Sequence, residues 1–260
     1  MKKDYILFLD SGIGGISTLA KTISQFKFNY IYYADNKNCP YGDHSKEEII
    51  KYLTEIISQL KQKYLIKFIV IACNTATASA IDELRLIFKN IFFVGAEPAI
   101  NFAYKNGFKN VLSLTTPLTS TLKRYKILSN SLPINISTYA NPNLVKIIED
   151  LYFNPSLKNR LNVLKTIALI CKKKQNFDSL VLGCTHYVFL KPFLIQFSIK
   201  SIIDGNLGIS HQLIDKIKHI YLQNSNKTTI KIILSQENKG LIKKYKKILS
   251  QTLANYKILC

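Results

Sequence analysis

A chain of 260 residues with 47% apolar and 20% charged residues carries enough apolar material for one large core or two separate ones. Its formal charge of +20 is spread along the chain, with short clusters only at Lys172–Lys174 and Lys243–Lys247. It therefore reads as solvated lysine faces, not a specific nucleic-acid module, although such a field draws in anionic substrates. No apolar run approaches the length of a membrane span, and five cysteines without a CxxC pair do not form a disulfide framework.

In chain order, Tyr5–Leu9 is a five-residue apolar run ending at Asp10 and a glycine-rich turn, Ser11-Gly12-Ile13-Gly14-Gly15. It is too short for a signal-peptide core and reads as a first strand. Tyr30–Ala34 predicts a second strand, leading to the loop Asn38-Cys39-Pro40-Tyr41-Gly42. Ser45 followed by Glu48 has the form of a capping box. Behind it, Ile49, Leu53, Ile56, Ile57 and Leu60 recur at helical spacing. Phe68–Ala72 predicts a buried strand and Thr77–Phe88 a helix; further strands fit Ile91–Val94, Val111–Leu114, Ser179–Leu182 and Ser201–Ile203. Leu241–Leu259 reads as a basic amphipathic helix that packs on the body through Leu241, Tyr245, Ile248, Leu249 and Leu253. Strands alternating with helices argue for an α/β fold with parallel sheets. Without a targeting signal, the reading is cytoplasmic.

Two segments share a plan. Ile69-Val70-Ile71-Ala72-Cys73-Asn74-Thr75 and Leu180-Val181-Leu182-Gly183-Cys184-Thr185-His186 each run from an apolar strand through a small residue to a cysteine, then to polar groups. In open α/β sheets, ligands bind beyond the carboxyl ends of the strands, where both cysteines fall. A thiol beside a helix N-terminus has its thiolate favoured relative to its usual pKa of about 8.5. One such cysteine is ordinary packing; two in matching contexts point to chemistry. Of the histidines, His186 alone has a catalytic setting, while His44, His211 and His219 read as surface residues. The glycine turn lacks the GxGxxG form, and Asp10 at the strand end would repel a pyrophosphate. Zinc on Cys73, Cys184 and His186 is compatible with composition but has no short ligand spacing behind it.

Asp10-Ser11-Gly12-Ile13-Gly14-Gly15, Cys39-Pro40-Tyr41-Gly42, Ala72-Cys73-Asn74-Thr75-Ala76, Glu97-Pro98-Ala99 and Gly183-Cys184-Thr185-His186-Tyr187 together resemble the ordered motifs of glutamate racemases. The resemblance implies two similar parallel-sheet lobes, one of residues 1–94 with 206–260 and one of 95–205, with the active site in the cleft between them. It implies a cofactor-independent racemase using Cys73 and Cys184 as paired bases, with Asp10 serving Cys73, His186 serving Cys184 and Glu149 in support. It also implies substrate contacts from Asp10, Ser11, Tyr41, Gly42, Asn74, Thr75, Thr185 and His186, with Thr116 and Thr119 on a substrate carboxylate. Where the family has a cysteine this chain has Asn141, and where it has a serine near Thr119 this chain has Leu122. The substrate is then glutamate, the product serves peptidoglycan, no metal or membrane is involved, and a homodimer is left open.

Two other readings compete. A pyridoxal-phosphate racemase or aminotransferase needs a lysine aldimine and a phosphate cradle, which the motifs do not contain. A nucleic-acid-binding module rests on net charge alone.

Overall fold

The computed structural model describes residues 3–174, 176–197, 199, 201–220 and 227–258, without the side chains of 219, 220 and 256–258. In chain order the first elements are β1 (Asp4–Asp10), α1 (Ile16–Gln25), β2 (Asn29–Ala34), α2 (Lys46–Lys63), β3 (Leu65–Ile71), α3 (Asn74–Ile87) and β4 (Phe92–Gly95). There follow α4 (Ile100–Lys105), β5 (Asn110–Thr115), α5 (Pro117–Thr121), α6 (Lys123–Asn130), β6 (Asn135–Ala140), α7 (Leu144–Phe153), α8 (Leu157–Lys174), β7 (Ser179–Leu182), α9 (Lys191–Gln196) and β8 (Ile202–Ile203). The chain ends with α10 (Asn206–Ile220), β9 (Thr229–Leu234) and α11 (Lys239–Ile258). Residues through Ala96, joined by those from Asn206 on, form one compact unit; Glu97–Gly205 form a second.

The first unit holds a parallel sheet in the order β4-β3-β1-β2-β9. Its central strands are buried on both faces, so they must be apolar throughout. Ile6, Leu7, Phe8 and Leu9 of β1, and Ile69, Val70 and Ile71 of β3, are all within 1% of complete burial. Helix α1 is pinned to α10 by buried hydroxyl bonds: Thr18 Oγ1 donates to Asn206 Oδ1 at 2.7 Å, and the Thr22 and Ser210 hydroxyls lie 2.8 Å apart. Helix α11 buries Tyr245, Ile248 and Leu249. Leu259, the last position of the amphipathic pattern, lies outside the described residues, as does the His219 side chain.

The second unit holds a parallel sheet in the order β6-β5-β7-β8. Val111 and Val181 lie on one face of it and pack with Ile100, Ala103, Tyr125 and Ile203. Two parallel sheets, each flanked by helices, make the architecture α/β. Among the described residues no helix is long and apolar enough to cross a membrane.

The capping box on α2 is formed in full: Glu48 N–H donates to Ser45 Oγ at 3.2 Å, and Ser45 N–H donates to Glu48 Oε2 at 2.8 Å. Ser45→Ala should cost about 1 kcal/mol, read as a lower melting temperature with catalytic constants unchanged. An unchanged melting temperature would mean that α2 is held by its packing alone.

Two strands escape the sequence reading. They are β6 and β9, both at sheet edges, where one side is solvated and the apolar run is interrupted. Helix α3 begins at Asn74, three residues before the expected start, so Cys73 itself is the N-cap. His44 is not a plain surface residue: its ring meets Tyr52 at 5.4 Å and Tyr41 at 6.4 Å, edge-on to each.

Candidate active site

In the first unit the chemistry gathers at the carboxyl ends of β1, β2 and β3. Asp10 pairs with Ala34 across β1 and β2, and Ala72 N–H donates to Leu9 O at 2.8 Å. Asp10, Asp35 and Cys73 are thereby set on three adjacent strand ends. All are buried, at 3%, 2% and 5% exposure. Asp10 Oδ1 accepts from Gly12 N–H at 2.9 Å, and Tyr32 OH donates to Gly12 O at 2.7 Å, which fixes the turn carrying Ser11. Gly15 is needed for close approach, not for backbone freedom. Its φ is an ordinary −67°, but a Cβ there would lie 2.8 Å from the Ala72 Cβ and 2.9 Å from the Asp10 Cβ.

Cys73 caps α3, so the sulfur begins a fourteen-residue helix whose first turn holds Asn74 and Thr75, both buried. The first-turn N–H groups and the helix dipole favour a thiolate there. Tyr41 donates to Asp35 Oδ2 at 2.8 Å, and Asn38 Nδ2 donates to the same oxygen at 2.9 Å. Burial raises the Tyr41 pKa well above the phenol range, and the negative charges of Asp35, Cys73 and Asp10 push it the same way. Tyr41 therefore stays a neutral phenol beside the thiol. Gly42 follows it in a short 3-10 turn.

In the second unit the corresponding ends are those of β5 and β7. Gly183 N–H donates to Leu114 O at 2.7 Å, and Cys184 follows at 5% exposure. The helix expected after Cys184 is only a six-residue 3-10 turn, Thr185–Leu190, so its dipole is weaker than that of α3. Other groups do the local work. Within that turn, His186 is 2% exposed, and its Nε2 lies 2.9 Å from Glu149 Oε1 on α7. A carboxylate at Nε2 holds a proton on that nitrogen whether the ring is neutral or charged.

Tyr187 donates to Thr115 O at 3.1 Å and reaches Asn141 O at 3.5 Å, which ties the cysteine turn to the ends of β5 and β6. Burial raises its pKa well above the phenol range, with the Cys184 and Tyr139 charges adding to the shift. Each thiol thus has a buried, protonated phenol near it. Thr116 and Thr119 are buried just past β5, with their hydroxyls 2.8 Å apart; Thr116 Oγ1 also accepts from Thr119 N–H and so caps α5. Thr185 is buried beside Cys184.

Asn141, where the family has cysteine, serves a turn: its Oδ1 accepts from Asn143 N–H at 3.0 Å. Glu97 is structural, accepting from Arg124 Nε at 2.5 Å, and Pro98 packs over Gly183. Sequence reasoning passed over Asp35 and Tyr187. Asp35 does carry a signal, since it follows β2 as Asp10 closes β1.

No family model matches the chain. A glutamate racemase of Clostridium novyi is 37% identical over 253 residues, covering 93% of this chain and 95% of that protein. One from Clostridium botulinum is 35% identical over 251 residues, covering 94% and 96%. The chain belongs to the glutamate racemase family. The solved glutamate racemase of Aquifex pyrophilus superposes with a TM-score of 0.72 at 27% identity, covering 95% of each chain. Both α/β sheets described above are therefore those of the glutamate racemase fold.

Proposed function

We propose that this protein interconverts L- and D-glutamate by transferring the α-proton between two thiols, Cys73 and Cys184, without a cofactor. The observation that carries the proposal is the recurrence of one arrangement in two units: a buried cysteine directly after a parallel strand, with an acid–base group and a protonated tyrosine beside it.

Inversion requires that the proton leave one face of the α-carbon and return to the other. Two bases accomplish this without turning the intermediate, provided one begins as thiolate and the other as thiol. Asp10 adjusts the charge of Cys73. His186, held by Glu149, does so for Cys184. Substrate binding falls to Ser11, Tyr41, Gly42, Asn74, Thr75 and Thr185, and the Thr116 and Thr119 hydroxyls receive a substrate carboxylate. Backbone N–H groups at the start of α3 supply the fixed dipoles that an enolate-like intermediate needs. The product would supply peptidoglycan synthesis in the cytoplasm.

Circular dichroism of glutamate incubated with enzyme stripped of metal and pyridoxal phosphate should decay to zero from either enantiomer. Aspartate should turn over at least about tenfold more slowly, because a side chain one methylene shorter leaves polar groups of the site unpaired. Equal rates on aspartate, or a requirement for pyridoxal phosphate, would overturn the proposal.

A further inference from the structure

Helix α8 buries Val163, Thr166, Ile167 and Ile170 against its own unit. Its outer face should then be polar, and it is not. Leu157, Leu161, Leu164, Ala168 and Cys171 recur in alternating steps of four and three residues, which places them in one narrow line along the helix. The three leucines are 74%, 46% and 36% exposed. Single exposed leucines are common on any protein surface, but a row at heptad spacing is the pattern of a helix-pairing seam.

Charge lines the same seam. Lys158, Lys165 and Lys172 stand seven residues apart along one edge, all exposed, and Arg160 flanks the other edge. Helix α8 carries no Asp or Glu. Among the described residues none of these four cations has an ion-pair partner. Other lysines of the same helix are occupied: Lys173 sits 4.8 Å from the Tyr139 ring centroid, and Lys174 donates to Phe177 O.

We propose that the outer face of α8 is a docking seam for an amphipathic helix of another protein, with leucine-like residues along its seam and acidic residues flanking it. Spacing and charge select this occupant. A second copy of α8 would set Lys and Arg against Lys and Arg in either helix direction, so self-pairing is disfavoured. A bilayer surface prefers a broad apolar face, whereas this stripe has the width of a two-in-seven seam between lysines. Acidic flanks on a partner helix would satisfy all four unpaired cations and cover the leucines together.

The test uses the full chain and a fluorescent synthetic peptide of four heptads, leucine at the two seam positions and glutamate at the flanking ones. A second peptide has the same composition in scrambled order, and a third carries lysine flanks. Fluorescence anisotropy should show binding of the first peptide, at least about tenfold tighter than either control. Leu161→Gln with Leu164→Gln should abolish that preference. Lys158→Glu, Lys165→Glu and Lys172→Glu together should transfer it to the lysine-flanked peptide. Glutamate racemisation should be untouched throughout, since α8 lies outside the residues assigned to catalysis; loss of the activity reading and loss of the seam are thus separable. Equal binding of the scrambled peptide would reduce the effect to bulk charge and overturn the proposal. So would stripe-dependent sedimentation with phosphatidylglycerol vesicles without peptide preference, or dimerisation in ultracentrifugation abolished by Leu161→Gln.

Discussion

In D₂O, Cys73→Ala should lose racemisation yet wash deuterium into L-glutamate and not into D-glutamate, while Cys184→Ala should label D-glutamate alone. Each variant keeps one base, which can remove a proton and return a deuteron on its own face. On the assignment inherited from the family, Cys73 acts on D-glutamate and Cys184 on L-glutamate. Steady-state rates cannot make this distinction. The enantiomers have equal free energy, so kcat/KM must be equal in the two directions for every variant, whichever base is damaged; only kcat and KM separately can diverge, and these mix binding with chemistry. Mass spectrometry after chiral separation reads the label directly. Labelling of the same enantiomer by both variants would overturn the two-base mechanism, and a swapped pattern would exchange the roles of the thiols.

How much of this could be read from the chain depends on where each element sits. Strands β1, β3 and β7 are buried on both faces, so they appear in the sequence as unbroken apolar runs. Edge strands lack that signature: β6 reads Asn135-Ile136-Ser137-Thr138-Tyr139-Ala140 and β9 begins Thr229-Ile230-Lys231, neither unlike a loop. The start of α3 was hidden for a local reason, since Asn74, Thr75 and Thr77 are poor helix formers. A tertiary bond outweighs that preference, with Thr77 Oγ1 donating to Ile71 O at 3.1 Å.

The thiols were legible because each directly follows an apolar strand. Their helpers were less so. The Tyr187 hydroxyl acts on Thr115 and Asn141, 72 and 46 positions away, and Glu149 meets His186 across 37. No local pattern encodes such pairs. Asp35 acquires its place beside Asp10 from the register of β1 on β2.

Gly183→Ala should remove most of the activity while the neighbouring control, Gly208→Ala, removes none. A Cβ at Gly183 would sit 2.6 Å from Leu114 O and 3.0 Å from Thr115 Cγ2. The first of these is backbone, and it already accepts the Gly183 N–H at 2.7 Å, so no side-chain rotation relieves the clash. The end of β7 must move away from β5 and carry Cys184 with it. Overpacking of this kind costs roughly 1–3 kcal/mol, a fall of about 3–8 °C in melting temperature for a chain of this size. Displacing a proton-transfer group by several tenths of an ångström costs on the order of a hundredfold in kcat/KM, equally in both directions. Gly208, in α10, would meet nothing within 4 Å, so alanine there should leave activity intact and stabilise the helix by about 0.5–1 kcal/mol. Gly107 separates the two effects: its surroundings are open, but φ is +82°, so Gly107→Ala should lower the melting temperature through backbone strain without touching catalysis. The decisive readout is again isotopic. If Gly183→Ala acts by displacing Cys184, its residual deuterium entry should appear in D-glutamate, as for Cys184→Ala. Unimpaired racemisation, or label confined to L-glutamate, would show that the Gly183 contact does not place the second thiol.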